Sequence, residues 1–207
     1  MKEKFLKKWT GFKSKNPKLA KFIYQFFYFL VFSCGVTIFQ YLAMLFLPHL
    51  FGIKLASIPF IWPSVTLWTW KNGQEAVFGI FNEPVIYQNG MPIIGGGLGN
   101  FIAFEVAVFI AQCINFPLQR NITFKSDGNP YIQALWYFIG WVLISIFVNA
   151  LWGFVNIFVI HYNIIPAVSN IIKTMITGGL SFIIFFFIFK IIFPEKRNKK
   201  RNKKRLN

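Results

Sequence analysis

The sequence predicts an all-α membrane protein: a four transmembrane helix bundle with both termini cytoplasmic and one long extracytoplasmic loop between helices 1 and 2. Three observations lead there. Four stretches are apolar enough, and long enough, to cross roughly 30 Å of hydrocarbon. Of 207 residues, 56% are hydrophobic, and 28 Phe with 7 Trp exceed what one soluble core holds. The net charge of +16 is crowded at the two ends of the chain.

Residues 1–21 form a basic cytoplasmic arm with eight lysines, Lys2 to Lys21. The apolar run after it, 22–47, is too long for a signal peptide and lacks a small-residue cleavage site, so it reads as a retained first span. Spans two, three and four fall at 100–119, 131–160 and 171–193. The third exceeds one bilayer thickness and is expected to tilt or project. Residues 194–207 form a second basic cytoplasmic tail with eight Lys and Arg. So dense a like-charge run cannot pack, and it reads as disordered. Arg120 and Lys125 follow span two, whereas no Lys or Arg joins spans three and four. The positive-inside rule then puts both ends in the cytoplasm, as four spans require.

The basic ends orient insertion and attract anionic lipid headgroups, so nucleic acid is not an expected partner. Cys34 and Cys113 fall inside spans, where a thiol behaves as a small hydrophobe. With His49 and His161 just outside spans and no acid at ligand spacing, neither a disulfide framework nor a metal site is expected. No nucleophile–base pair or phosphate-binding loop is visible, and no cofactor is implied, so the chain does not read as an enzyme. The Asn121-Ile122-Thr123 sequon falls on the cytoplasmic side and is set aside.

Residues 48–99 make the extracytoplasmic loop. Its apolar part, 55–70, is interrupted by Pro59 and Pro63 and rich in Trp, which suits a segment lying in the membrane interface or a re-entrant dip. Residues 85–88 and 91–94 flank Asn89-Gly90 as a small hairpin. Gly95-Gly96-Gly97-Leu98-Gly99 opens span two as a hinge, or as backbone amides able to hold an anion.

At about 100° per residue the polar side chains fall into stripes. Span one contributes Ser33, Thr37 and Gln40. Span two contributes Glu105, Gln112, Asn115 and Gln119. Span three contributes Ser145, Asn149, Gly153 and Asn156. Span four contributes Lys173, Thr177 and Ser181, with Thr174, Gly178 and Gly179 close by. Small and hydrogen-bonding residues also serve helix packing, and that accounts for the neutral members. Ionisable groups inside a span are costly and mark function. Glu105 and Lys173 lie at similar depth and are placed to pair across helices; snorkelling is the rival for Lys173, and the account of Lys190. Arg120 closes span two with a fork that suits phosphate, or it simply obeys the positive-inside rule.

The exit of span two, Asn115, Phe116, Arg120, Thr123 and Phe124, resembles that of the GtrA-like membrane proteins. The first span is similar through Phe32-Ser33-Cys34-Gly35-Val36-Thr37. The loop after span one is longer than usual in that family, and Gln119 stands where Asn is typical. The resemblance implies translocation of polyprenyl-phosphate-linked sugars for cell-surface polysaccharide, at the cell membrane, or support of a membrane glycosyltransferase that uses them. On that expectation Arg120 meets the phosphate, Gln112, Asn115 and Asn149 shelter the sugar with Glu105, and Lys173 receives charge near the outer side. Two other readings stand beside it. One is a small proton-coupled cation exporter built on Glu105, acting as a homo-oligomer. The other is a non-transporting scaffold for a glycosyltransferase.

Overall fold

The structure, a computed structural model, describes residues 2–194. The expected 194–207 tail lies outside the described residues apart from its first position. Among the described residues, four helices are long and apolar enough to cross a membrane: Pro17–Met44, Gly97–Thr123, Pro130–His161 and Ala167–Ile192. Each overlaps one expected span, with ends displaced by a few residues. The basic arm is itself largely helical, α1 (Lys2–Lys15), and residues 17–21 belong to the first spanning helix, α2 (Pro17–Met44).

Proline sets several of these starts. Pro17, Pro130 and Pro166 occupy the first turns of their helices, where a missing N–H costs nothing. Asn129 caps the third spanning helix, α5 (Pro130–His161), its Oδ1 accepting from the Tyr131 and Ile132 amides at 2.9 and 3.4 Å. The second, α4 (Gly97–Leu118), contains Pro117 and widens directly after it into a π turn, Gln119–Thr123. Pro117 removes one intrahelical bond, and a wider turn is one way to absorb that loss. The fourth spanning helix is α6 (Pro166–Thr174), a second π turn over Met175–Leu180 that contains Gly178-Gly179, and α7 (Ser181–Ile192).

The loop is more structured than expected. It opens with α3 (Leu47–Ala56), kinked at Gly52. Residues 55–70 then form the end of α3 and two strands, β1 (Phe60–Trp62) and β2 (Val65–Thr69). Each strand finds an antiparallel partner within the loop. β2 pairs with β3 (Glu75–Phe78), and β1 pairs with β4 (Phe81–Glu83) outside it, making one nested hairpin. The Asn89-Gly90 hairpin forms as expected but is short, with Tyr87 opposite Pro92 and Gln88 opposite Met91 in β5 (Tyr87–Gln88) and β6 (Met91–Pro92).

The glycine run before α4 is neither an open hinge nor an anion cradle. The Gly97 amide donates to Pro84 O at 2.9 Å and the Leu98 amide to Ile58 O at 2.8 Å. Gly97 has a φ of 60°, and a Cβ there would strike the Ala56 and Ile58 carbonyls. These residues let α4 start tight against the end of α3.

The hairpin docks on α5 rather than floating free. Trp70 stacks on His161 at 3.7 Å between ring centroids and 8° between planes, and His161 Nδ1 lies 2.9 Å from Gln74 Oε1. A Cβ on Gly153 would collide with the Gly79 carbonyl, so the strand connection lies directly on the helix backbone.

Among the spanning helices, α2 packs mainly on α4, and α5 mainly on α7. An aromatic core joins the two pairs at the end carrying the α4–α5 turn: Phe29, Phe124, Tyr137, Phe186, Phe189 and Phe193. Phe22, Phe26 and Phe29 of α2 meet Phe182, Phe186 and Phe189 of α7 only in this half. Toward the hairpin end no ring contact joins α2 to the fourth helix among the described residues, and the bundle parts.

Candidate functional site: a polar cavity between the four helices

Where the bundle parts, it leaves one cavity of ≈ 650 Å³. The polar stripes converge there. Ser33, Thr37 and Gln40 line it from α2, Glu105, Gln112 and Asn115 from α4, and Ser145 and Asn149 from α5. Lys173, Thr174, Thr177, Gly178 and Ser181 line it from the fourth helix. Glu105 and Lys173 therefore share one space, both half-buried, but the expected ion pair between them is not formed.

The cavity runs from Asn100 to Asn115 along α4, about 22 Å at the rise of a regular helix. That is more than half the thickness of a hydrocarbon core. At its mouth Asn100 Nδ2 donates to Glu83 Oε2 at 2.9 Å, so strand β4 of the loop supplies one wall. At its floor the Tyr137 hydroxyl donates to Gln112 Oε1 at 2.7 Å and accepts from Asn115 Nδ2 at 2.9 Å. Gln119 Nε2 then donates to Asn115 Oδ1 at 3.1 Å. With the aromatic core beneath, this chain of hydrogen bonds closes the cavity at the turn end.

Several stripe residues are satisfied within their own helix. Thr37 donates to Ser33 O at 3.0 Å, Thr177 to Lys173 O at 2.8 Å, and Asn149 to Ser145 O at 2.9 Å. This back-bonding removes the cost of a hydroxyl or amide in an apolar span while keeping it at the cavity wall. The second π turn, Met175–Leu180, lies in the same wall. Such widened turns occur mostly where a helix serves function.

Four expected residues, Gln119, Gly153, Asn156 and Gly179, do not line the cavity. Gln119 is fully buried below the floor, with its Oε1 unpartnered. Gly153 is spent on the hairpin contact, and Asn156 lies beyond it on the same helix.

Arg120 differs most from expectation. It lies outside the cavity, and its guanidinium holds the α4–α5 turn together. Nε donates to Gln133 Oε1 at 2.8 Å, Nη1 to Asn121 Oδ1 at 2.6 Å, and Nη2 to the Gly128 carbonyl at 2.8 Å. Gln133 Nε2 in turn donates to Ser126 Oγ at 2.7 Å, and Ser126 Oγ to the Pro194 carbonyl at 2.7 Å, tying the turn to the end of the fourth helix. A guanidinium committed in this way to protein acceptors anchors the turn.

Tyr137, Glu83 and Asn100 were not singled out from sequence. Tyr137 is an aromatic among many, although a tyrosine deep in a span needs a hydrogen-bond partner, and that was the available signal. Glu83 and Asn100 meet only because the hairpin folds back over α4.

Comparison with family models, with curated proteins and with solved structures finds no match to this chain.

Proposed function

We propose that the cavity takes the polar headgroup of a polyprenyl-phosphate-linked sugar, and that the chain moves this lipid across the cell membrane or presents it for use in surface polysaccharide synthesis. The observation that carries the reading is the meeting of polar stripes from all four spanning helices in one space, with Lys173 and Glu105 both on its wall. Lys173 is the cation available to a phosphate there. Glu83, Glu105, Gln112 and Asn149 offer the mixed acceptors and donors that sugar hydroxyls require. Trp141 and Trp152 add aromatic walls. On this reading the long apolar tails stay in lipid outside the bundle while the headgroup enters the cavity. The resemblance of the Asn115 to Phe124 segment to GtrA-like proteins agrees with this role. Both termini are cytoplasmic on this reading, so the cavity opens outward and is closed inward by Tyr137.

The phosphate role first given to Arg120 passes to Lys173, since Arg120 is engaged in the turn. The test is translocation of a polyprenyl-phosphate hexose by the full chain in vesicles, read by periodate access to the outer-leaflet sugar. Glu105→Gln and Lys173→Met should each slow movement about tenfold, the scale of one charge-assisted contact. Unchanged rates for both variants sink the proposal.

A cation exporter is the second reading, favoured by Glu83 and Glu105 lining the same cavity. It predicts cation uptake driven by a proton gradient, lost in Glu105→Gln and indifferent to Lys173→Met.

A further inference from the structure

Acids outnumber bases on the wall of the cavity between the helices. Among the described residues its ionisable side chains are Glu83 from β4, Glu105 from α4 and Lys173 from the fourth helix. All three are half-buried. The opposite charges do not satisfy one another. Glu83 accepts from Asn100 Nδ2 at 2.9 Å. The Glu105 carboxylate and the Lys173 ammonium have no hydrogen-bond or ion-pair partner among the described residues.

A charge inside a span is costly unless it is paired or faces a partner across a cavity. A phosphate by itself answers only Lys173. It also brings negative charge into a space that already holds two carboxylates, and like charges repel more strongly where water is scarce. A headgroup with an ammonium beside its phosphate answers Glu105 and Lys173 together.

The charged and neutral polar groups are also sorted by depth. At helical rise Glu105 stands about 8 Å below Asn100 at the mouth, and Lys173 about 10 Å into the fourth helix from Pro166. Gln112 lies about 10 Å deeper than Glu105 on α4. The inner wall there, with Gln112, Ser145 and Asn149, is neutral and rich in donors and acceptors.

We propose that the headgroup taken by this cavity is an amino sugar phosphate whose amine is unacylated. The ammonium meets Glu105, the phosphate meets Lys173, and the hydroxyls meet the neutral inner wall. This assignment rests on the sugar-lipid reading and narrows it to one chemical class of sugar. Acetylation of the amine keeps the ring and removes the positive charge, so it turns a preferred ligand into a poor one. A phosphoethanolamine lipid carries the same two charges but lacks the hydroxyls that the inner wall is built to meet.

The experiment compares polyprenyl-phosphate glucosamine with its N-acetylated form in phosphatidylcholine vesicles holding the full chain, at pH 6, where the free amine is protonated. Movement is read by periodate access, since both sugars keep vicinal hydroxyls. The wild-type chain should move the amine form about tenfold faster. Glu105→Gln should bring the ratio of the two rates close to one. Lys173→Met should slow both forms and preserve the ratio, because the phosphate is common to them. The ratio is internal to each preparation, so a partly misfolded variant still reports it. Phosphatidylethanolamine added to the vesicles should leave the amine form's rate unchanged; slowing to the acetylated rate overturns the amino sugar assignment. Equal wild-type rates, a preference that survives Glu105→Gln, or wild-type rates in Lys173→Met overturn it while the movement itself keeps the sugar-lipid reading standing. Movement of neither form overturns both.

Discussion

Arg120 Nε donates to Gln133 Oε1 at 2.8 Å across the turn between α4 and α5, so the cation that closes the second spanning helix is a structural clasp. Removing either partner strands the other in a half-buried place. Arg120→Ala and Gln133→Ala should each destabilise the fold by about 2 kcal/mol, measured by denaturant titration in detergent. The double variant should cost little more than either single one, because both act through the same cluster. Additive losses would show that Arg120 works independently of Gln133.

Tyr137 is fully buried and serves two partners at once, Gln112 and Asn115. Tyr137→Phe keeps the ring and its stacking on Phe189 at 4.5 Å, but removes both hydrogen bonds. Interhelical hydrogen bonds in membranes are individually modest, so a loss of about 1 kcal/mol is expected in the same titration. If Tyr137 is also the floor of a working cavity, the variant should leak small polar solutes through reconstituted vesicles more than its loss of stability explains.

Gly153 and Gly79 touch backbone to backbone, and any side chain on Gly153 must push the strand connection away. Gly153→Leu should cost about 1–3 kcal/mol as an overpacked contact and separate Trp70 from His161. Tryptophan fluorescence and protease sensitivity of the 60–83 segment report that separation. An undisturbed hairpin in Gly153→Leu would mean the contact is loose.

Much of the cavity was legible because helical periodicity is strict. Ser33, Thr37 and Gln40, or Glu105 and Gln112, share a face whatever surrounds them, and in an apolar span only one face can be polar. Lys173, Thr177 and Ser181 stayed together even across a π turn. The misplacements have a different origin. Whether a cation such as Arg120 faces a ligand or a carbonyl depends on where a turn returns the chain, and Gly128 and Gln133 come near it only through the cap at Asn129. The loop failed to read as strands because its pairs are two to five residues long and find their partners across a nested hairpin. Glu83 therefore entered the site through tertiary folding that no local pattern announced.

Labelling of single cysteines reports whether water reaches the polar cavity inside the bundle. In a chain carrying Cys34→Ala and Cys113→Ala, Ser145→Cys and Thr177→Cys place thiols on the cavity wall. Leu143→Cys and Ile183→Cys place them on outer faces, 62% and 55% exposed and outside the cavity. The thiolate, which forms in water and not among acyl chains, is the nucleophile that adds to a maleimide. In membranes, a charged maleimide should modify Ser145→Cys and Thr177→Cys readily and leave Leu143→Cys and Ile183→Cys unmodified. Equal labelling of all four positions, or labelling of the outer pair alone, would contradict the account.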